Sequence, residues 1–318
     1  MIKLPSLRKK EEFPDQFFAL DLGGKIFKVF VLDYSGGSVS PLGSRKIPRT
    51  DTAEEDLKEA VEELKHDFPE AKPLAVVGVS GPHTLAFTTV VRSSTDRDVE
   101  ELAVHARGAA LEDAQKELRE GLGDPKLSVT EIEAEILEVK EVDKLEVYIF
   151  SSFADGSYLG QLANLVKNAG LSLWGFSSLP FNLVSKLSED EELNALIFDI
   201  GGSKTEISLA FGGQLMDTKS FFWDFKENGN PTAFLDLWLN AVSSALSAFE
   251  GVETFPPKIF LTGGAAAFSG LLEVLSSYPW SKDHPFEVAP EVVTLEEEKL
   301  PLSLGQVAKR VKEEGSDE

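Results

Sequence analysis

Apolar residues that alternate with polar ones, together with β-branched runs, predict three consecutive strands over residues 17–49. A helix is predicted next, over 52–67, because apolar residues there recur every three or four positions. A short buried strand is predicted over 73–80. Strands followed by a helix and a further strand indicate a mixed sheet covered by helices.

The segment from about 84 to 147 has a different pattern. An alternating strand over 85–91 precedes a long charged helix from about Arg97 to Leu118. Two further strands follow, and the first of them, over 129–142, is very acidic. This order of strand, helix, strand and strand indicates a unit inserted into the first part of the chain.

The second half of the chain alternates between helices and strands. Helices are predicted over 157–168, 180–187 and 233–249, and strands over 171–176 and 258–262. The overall prediction is therefore an α/β fold.

Composition narrows the class of protein. Hydrophobic residues make up 42% of the 318 residues, within the range of globular proteins. The sequence has no run of about 18 apolar residues that predicts a transmembrane helix, and no signal-peptide pattern. The absence of cysteine excludes disulfides, thiol chemistry and cysteine-ligated metals, and the four histidines show no ligand spacing. A cytoplasmic protein is expected.

The net charge of −23 arises from 31 basic and 54 acidic residues. A field of this sign disfavours nucleic-acid binding and favours a basic partner. The one basic cluster, Arg8-Lys9-Lys10, favours a solvated N-terminal tail. Peripheral contact with an anionic membrane is the alternative.

One short phrase occurs twice. Asp21-Leu22-Gly23-Gly24 ends one apolar run, and Asp199-Ile200-Gly201-Gly202 ends another. Glycine lets the backbone N–H groups of a hairpin tip approach an anion, and an aspartate there can hold hydrated Mg²⁺. A single copy is typical of an ordinary tight hairpin, whereas two copies with the same flanks favour a shared phosphate site.

Other polar and small residues accompany the two phrases. Lys28 lies on the strand that leaves the first hairpin, and Ser203 and Thr205 offer hydroxyl groups beside the second. A third strand runs into Thr262-Gly263-Gly264 and then a helix, where small residues permit close approach of a base or ribose. A packed turn between strand and helix is the alternative interpretation of this third element.

The two Asp-x-Gly-Gly hairpins followed by the Thr-Gly-Gly turn resemble, in this order, the nucleotide-binding elements of the actin-like ATPase superfamily. The resemblance covers most of the chain. Residues 21–28 are similar to the superfamily's first phosphate loop, 199–205 to its second and 261–268 to its adenosine loop, while 302–308 look like its closing helix. The likeness is greatest to the FtsA/PilM branch, and within it to PilM, because Val77-Gly78-Val79-Ser80-Gly81 precedes the inserted unit.

The resemblance implies a ribonuclease H-like α/β fold of two lobes, with an SHS2-type insertion in the first lobe and a reduced second lobe. The units it implies are a flexible N-terminal tail (1–16), the first-lobe core (17–83), the insertion (84–147), the rest of the first lobe with its connecting helix (148–190), the second lobe (191–311) and an acidic tail (312–318).

The resemblance also implies a weakened site for ATP and Mg²⁺. Asp21 and Asp199 would be the catalytic residues and would hold Mg²⁺ through water. The residues implied to contact the nucleotide are Gly23, Gly24, Lys25, Lys28, Gly201, Gly202, Ser203, Thr205, Gly263, Gly264 and Ala265.

Two departures from the family pattern predict at most weak ATPase activity. Leu179 stands where the branch usually carries an acidic residue that helps to place the attacking water. Only about 60 residues separate the second phosphate loop from the adenosine loop, so most of the subdomain that closes over the base is missing. The aromatic segment 221–225 favours core packing below that missing subdomain, with an exposed patch for a partner chain as the alternative.

The favoured hypothesis is a PilM-like cytoplasmic scaffold of type IV pilus or secretion machinery. It would bind the N-terminal peptide of an inner-membrane assembly protein between the first lobe's sheet and the insertion, and so lie at the inner face of the plasma membrane. The C-terminal residues lack the apolar face of a membrane-binding helix, which argues against direct tethering of the FtsA type. The alternatives are a self-associating FtsA-like filament protein of cell division and an active ATPase or kinase of the same fold.

Overall fold

A computed structural model describes residues 13–35, 37–94, 98–141, 143–189, 192–225, 231–296 and 299–316. The basic cluster Arg8-Lys9-Lys10 and most of the predicted N-terminal tail lie outside the described residues, as do Arg97 and the last two residues of the predicted acidic tail.

Strands and helices alternate along the described parts of the chain. The strands are β1 (Gln16–Asp21), β2 (Ile26–Asp33), β3 (Ser40–Pro48), β4 (Leu74–Val79), β5 (Thr84–Ser93), β6 (Val129–Glu141), β7 (Leu145–Asp155), β8 (Ser172–Ser178), β9 (Ala195–Ile200), β10 (Lys204–Phe211), β11 (Gln214–Phe222), β12 (Lys258–Thr262) and β13 (Glu291–Thr294). The helices are α1 (Ala53–Asp67), α2 (Val99–Leu122), α3 (Gly156–Asn168), α4 (Leu179–Leu187), α5 (Pro231–Ser247), α6 (Leu271–Ser277), α7 (Trp280–Asp283), α8 (Lys299–Leu302) and α9 (Gly305–Ser316).

Two five-stranded sheets repeat one topology. The first has the order β3-β2-β1-β4-β8, and the second has the order β11-β10-β9-β12-β13. In each sheet the central strand pairs antiparallel with the next strand of its hairpin and parallel with a strand beyond the following helix. The duplicated phrase of the sequence therefore corresponds to a duplicated lobe.

Helices cover both faces of the first sheet. Helices α1 and α3 pack on one face, while α4 and α9 pack on the other, in a core that also includes β9 and β10 of the second sheet. Because β1 and β9 are buried on both faces, they carry continuous apolar runs rather than alternating ones. The shared core fixes the second lobe against the first.

The segment between β4 and α3 forms a third sheet, of order β5-β7-β6, with α2 on one face. Asp98 caps α2 by accepting a hydrogen bond from the backbone N–H of Glu100 (2.7 Å). The helix continues to Leu122, beyond the predicted end near Leu118, because the left-handed residue that ends it is Gly123 (φ +67°) and not Gly121. The unit boundaries proposed above remain predictions.

None of the helices in the described ranges is long and apolar enough to cross a membrane.

Gly78 of β4 tests how tightly the core is packed. An added Cβ would lie 2.5 Å from Leu179 Cδ2 and 3.1 Å from Leu304 Cδ1, and both leucines are completely buried. We expect Gly78→Ala to lower the free energy of unfolding by about 1–3 kcal/mol through overpacking, as measured by urea denaturation.

Gly108→Ala is the matched control, because Gly108 lies on an exposed turn of α2 with no neighbouring atom within 4 Å of the added Cβ. It should raise stability by about 0.5–1 kcal/mol. A Gly78→Ala protein as stable as the wild type would contradict this description of the core.

Candidate functional site

The first Asp-x-Gly-Gly phrase forms the tip of the β1–β2 hairpin. Asp21 ends β1, its Oδ1 accepts a hydrogen bond from the backbone N–H of Gly23 (3.2 Å), and Gly24 adopts a left-handed conformation at the exposed tip (φ +73°). Lys28 is the direct cross-strand partner of Asp21, and its Nζ lies 3.8 Å from Asp21 Oδ2. Hairpin pairing therefore explains why a lysine seven residues later reaches the aspartate.

The second phrase forms the tip of the β9–β10 hairpin. The backbone N–H of Gly201 donates to the Lys204 carbonyl (2.9 Å), which closes the turn, and Gly202 and Ser203 are exposed. Asp199 is the cross-strand partner of Glu206. Burial, then Glu206 and then Asp21 raise the pKa of Asp199 to about 7. The Asp21 carboxylate is therefore close enough to Asp199 to act on its charge, so the two aspartates lie near the same boundary between the lobes.

The third element is attached to the second hairpin. Strand β12 runs parallel to β9, with Thr262 beside Asp199. Gly263 has a φ of +92°, and a Cβ at this position would collide with the Asp199 carboxylate and lie 2.6 Å from the Ile200 carbonyl oxygen. Only glycine fits there. The backbone N–H of Ala265 donates to the same carbonyl (2.8 Å), while Gly264 remains exposed.

One predicted ligand does not reach this site. Thr205 is completely buried, and its Oγ1 accepts a hydrogen bond from Trp238 Nε1 of α5 (3.0 Å). Successive residues of a strand point to opposite faces, so Thr205 faces the second-lobe core while Lys204 and Glu206 face the first lobe. The exposed Lys25 and Ser203 lie at the two tips.

Lys204 and Glu206 are residues of the site that the sequence analysis missed. Lys204 Nζ donates to Glu206 Oε2 (2.9 Å) and to the backbone carbonyl of Thr84 in β5 (2.7 Å), and both side chains are buried. Glu206 Oε1 has no hydrogen-bond partner within the described residues. The alternation of side chains along β10 could have placed both residues on the same face as Asp199. That β5 covers this face is seen only in the three-dimensional structure.

The aromatic segment 221–225, which includes the end of β11, lies against the second hairpin. The backbone N–H groups of Trp223 and Phe225 donate to the carbonyls of Ser203 (3.0 Å) and Gly202 (2.9 Å). Phe225 is buried against Phe234, Trp238 and Phe268, whereas Phe222 is 42% exposed and lies against Gly121 of α2. The segment thus contains one residue that packs in the core, Phe225, and one that is exposed at the surface, Phe222.

The converging groups suit a phosphate ester bound with a hydrated cation. No group of three or more His, Cys, Asp or Glu residues within the described ranges is arranged to hold a metal directly. Mg²⁺ would therefore depend on water and phosphate oxygens, with Asp21 and Asp199 as outer ligands. A cation would also relieve the repulsion between the Asp21, Asp199 and Glu206 carboxylates, so the residues present fit Mg²⁺ with a nucleotide.

Comparison with known proteins gave matches among solved structures only. No protein-family model and no curated protein matches the chain. The chain is similar to the "PilM-PilN type IV pilus biogenesis complex", with 16% identity, a TM-score of 0.62, and coverage of 92% of this chain and 98% of that one. This similarity shows a shared fold.

Two further solved structures are more distant. One is a Bacteroides thetaiotaomicron protein described as having an actin-like ATPase fold and unknown function, at 12% identity and a TM-score of 0.48, covering 91% of this chain and 95% of that one. The other is the cytoplasmic domain of EpsL from the type II secretion system of Vibrio cholerae, at 11% identity and a TM-score of 0.43, covering 95% of each chain. The predicted actin-like fold of two lobes is confirmed by the fold shared with the PilM–PilN structure and by the repeated sheet topology.

The raised pKa of Asp199 predicts a pH-dependent stability. The folded protein retains a proton up to about pH 7 that the unfolded carboxyl, with a pKa of 3.8, has already released. Without Mg²⁺ or nucleotide, the free energy of unfolding should therefore fall as pH rises from about 4 to about 7. The expected slope is about 1.4 kcal/mol for each pH unit in that range. Urea denaturation at a series of pH values measures this slope.

Asp199→Asn should remove that part of the slope, whereas Asp51→Asn, at an exposed aspartate outside the site, should retain it. An unchanged slope in Asp199→Asn would show that the carboxyl does not carry the retained proton.

Proposed function

We propose that this chain is a PilM-like scaffold of pilus or secretion machinery. It captures an extended peptide from the N-terminus of an inner-membrane partner, which holds it at the inner face of the plasma membrane, and its central cleft binds Mg-ATP weakly. The similarity to the PilM–PilN complex supports this proposal. The observation that carries it is a junction between two strand edges, one in the first lobe and one in the insertion.

The two edges are β6 and β8. Strand β6 is the last strand of the three-stranded sheet, and β8 is the last strand of the first five-stranded sheet. They lie in contact, but within the described residues they do not pair with each other. A strand edge presents backbone N–H and C=O groups that an extended peptide can pair with.

Apolar side chains flank this junction. Ile132 and Phe176 are half-buried beside the core below α3, and Leu137 and Trp174 are half-buried beside the core below α4. Alternate side chains of an added strand would therefore meet apolar surface on both sides of the junction. Such a surface suits a peptide with alternating apolar residues.

A polar network holds the junction at a fixed width. Glu133 of β6 accepts hydrogen bonds from the Ser178 backbone N–H (2.9 Å) and from Ser177 Oγ (3.0 Å). Arg310 of α9 donates to the same carboxylate (2.8 Å) and to Asn182 Oδ1 (3.0 Å). A preformed groove of this kind lowers the ordering cost that a binding peptide must overcome.

Charge indicates which peptides the groove prefers. Strand β6 carries five glutamates, at positions 131, 133, 135, 138 and 141, in a chain with a net charge of −23. Arg107 pairs with Glu131, Arg310 with Glu133 and Lys140 with Glu138. The net negative charge of the whole chain favours a peptide with basic residues beside its apolar ones.

Nucleotide binding is the second part of the proposal. The exposed glycine tips at Gly24 and Gly202 and the Lys28 ammonium group would bind phosphate oxygens, while Asp21 and Asp199 would orient Mg²⁺ through water. Bound Mg-ATP would supply a charged cross-link between the lobes. Leu179 is completely buried and offers no group to activate water, so the proposed role is regulation rather than rapid turnover.

Thermal stability tests nucleotide binding. Mg-ATP at millimolar concentration should raise the melting temperature, because a ligand that binds only the folded state stabilises it. Asp199→Ala should abolish the rise, while Asp51→Ala should retain it. If Mg-ATP does not raise the melting temperature of the wild type, nucleotide binding is wrong and only the scaffold part of the proposed function remains.

Peptide binding tests the groove. The probe is a synthetic extended peptide with alternating apolar residues and flanking basic residues, titrated by calorimetry. Leu137→Ser should weaken binding about tenfold, because it removes apolar surface from the junction. Leu237→Ser is the control, at a 60% exposed leucine of α5 in the second lobe. If the two variants bind the peptide with equal affinity, or if the wild type does not bind it, the proposed binding of a peptide at this junction is wrong.

A further inference from the structure

A histidine lies in the crevice at the carboxyl ends of β1 and β4, outside the residues assigned above. His83 follows the tight turn after β4, where Gly81 has a φ of +92°. Its Nδ1 lies 3.2 Å from Asp155 Oδ2, and its ring stacks on Tyr158 with centroids 4.8 Å apart and planes at 16°. The ring is therefore held by two neighbours from the start of α3.

Asp155 is itself fixed. Its Oδ1 accepts a hydrogen bond from the Ser157 backbone N–H (2.8 Å) as the N-cap of α3, and its own backbone N–H donates to the His83 carbonyl (3.0 Å). Because Nδ1 faces this carboxylate, Nε2 lies on the opposite side of the ring. The His83 side chain is 40% exposed, which is unusual for a residue with a purely packing role.

Tyr158 connects the histidine to the first hairpin. Its hydroxyl lies 3.9 Å from the position of a Cβ on Gly23. Burial, with Asp21 as a further cause, raises the pKa of Tyr158 to about 12, so the phenol remains neutral and can donate a hydrogen bond. The stacked pair therefore forms one wall beside the loop.

Cations gather around this loop despite the strongly negative chain. Lys25 lies at the exposed tip, and Lys28 lies on the outgoing strand. The backbone N–H of Arg49 donates to the Lys25 carbonyl (2.8 Å), and the Arg49 charge is close enough to lower the pKa of Tyr158 in opposition to Asp21. Three basic residues therefore accompany the glycine turn, whose backbone N–H groups can approach an anion, and Asp21 lies beside one of them.

We propose that His83 is a phosphate-binding residue of this crevice and contacts the terminal phosphate of the bound nucleotide. This inference rests on the nucleotide binding proposed above. Nδ1 lies against the Asp155 carboxylate, so Nε2 is the ring nitrogen that would donate to a phosphoryl oxygen. Tyr158 keeps the ring plane in position. The crevice thereby distinguishes a nucleoside triphosphate from a diphosphate.

Calorimetric titration with Mg-ATP and with Mg-ADP tests the inference. His83→Ala should weaken Mg-ATP binding about tenfold, the usual effect of losing a hydrogen bond to a charged group, and change Mg-ADP binding less than twofold. The control is His105→Ala, at an exposed histidine of α2. Inorganic phosphate, titrated separately, shows whether the crevice binds the anion without the nucleoside.

Two substitutions of the stacking partner separate binding from folding. Tyr158→Phe keeps the stacked ring and should keep the wild-type ratio of ATP to ADP affinity, whereas Tyr158→Ala should lose that ratio. Melting temperatures without ligand identify any variant that fails to fold. In the wild type, the ¹⁵N resonance of His83 Nε2 should shift with Mg-ATP and not with Mg-ADP.

The outcomes are distinguishable. If the wild type binds Mg-ATP and folded His83→Ala keeps the same ratio of ATP to ADP affinity, this inference is wrong and the proposed function stands. Equal weakening of both nucleotides would also overturn it, because it would indicate a general effect on the loop. If the wild type binds neither nucleotide, both this inference and the nucleotide part of the proposed function fail.

Discussion

Two lysines and three carboxylates meet at the boundary between the two lobes, and the balance of their charges determines what the cleft can bind. Asp21 is the last residue of β1, Asp199 is the second-last residue of the equivalent strand β9, and Glu206 lies beside Asp199 on the neighbouring strand. Lys28 lies near Asp21, and Lys204 pairs with Glu206, but Asp199 retains a pKa of about 7. Partial burial and two neighbouring carboxylates make this carboxyl costly to ionise. A cation bound between the carboxylates would reduce that cost.

The inserted sheet connects the two proposed binding sites. Lys204 donates to the Thr84 carbonyl of β5, and Asp217 of β11 accepts a hydrogen bond from the Thr88 backbone N–H (2.9 Å). On its other edge, Glu133 of β6 binds the start of α4. One sheet therefore contacts both the boundary between the lobes and the junction of β6 with β8.

Local signals in the sequence predicted the fold well, because buried strands and glycine turns are encoded by neighbouring residues. The repeated Asp-x-Gly-Gly phrases thus identified two equivalent hairpins and their aspartates. Contacts between distant residues were not predictable: Lys204 lies 120 residues from Thr84, and His83 lies 72 residues from Asp155. Thr205 was assigned to the site for its hydroxyl group and because residues 199–205 resemble a phosphate loop, but strand alternation turns its side chain to the opposite face.

The proposed function requires the edges of β6 and β8 to bind an extended peptide. Hydrogen–deuterium exchange of the full chain, with and without the synthetic peptide used for calorimetry, tests this requirement most directly. We predict slower exchange in residues 129–141 and 172–178, because their backbone N–H groups become paired, and unchanged exchange at the edge strand β13 of the second lobe. A bound peptide that leaves exchange in both β6 and β8 unchanged would contradict the account.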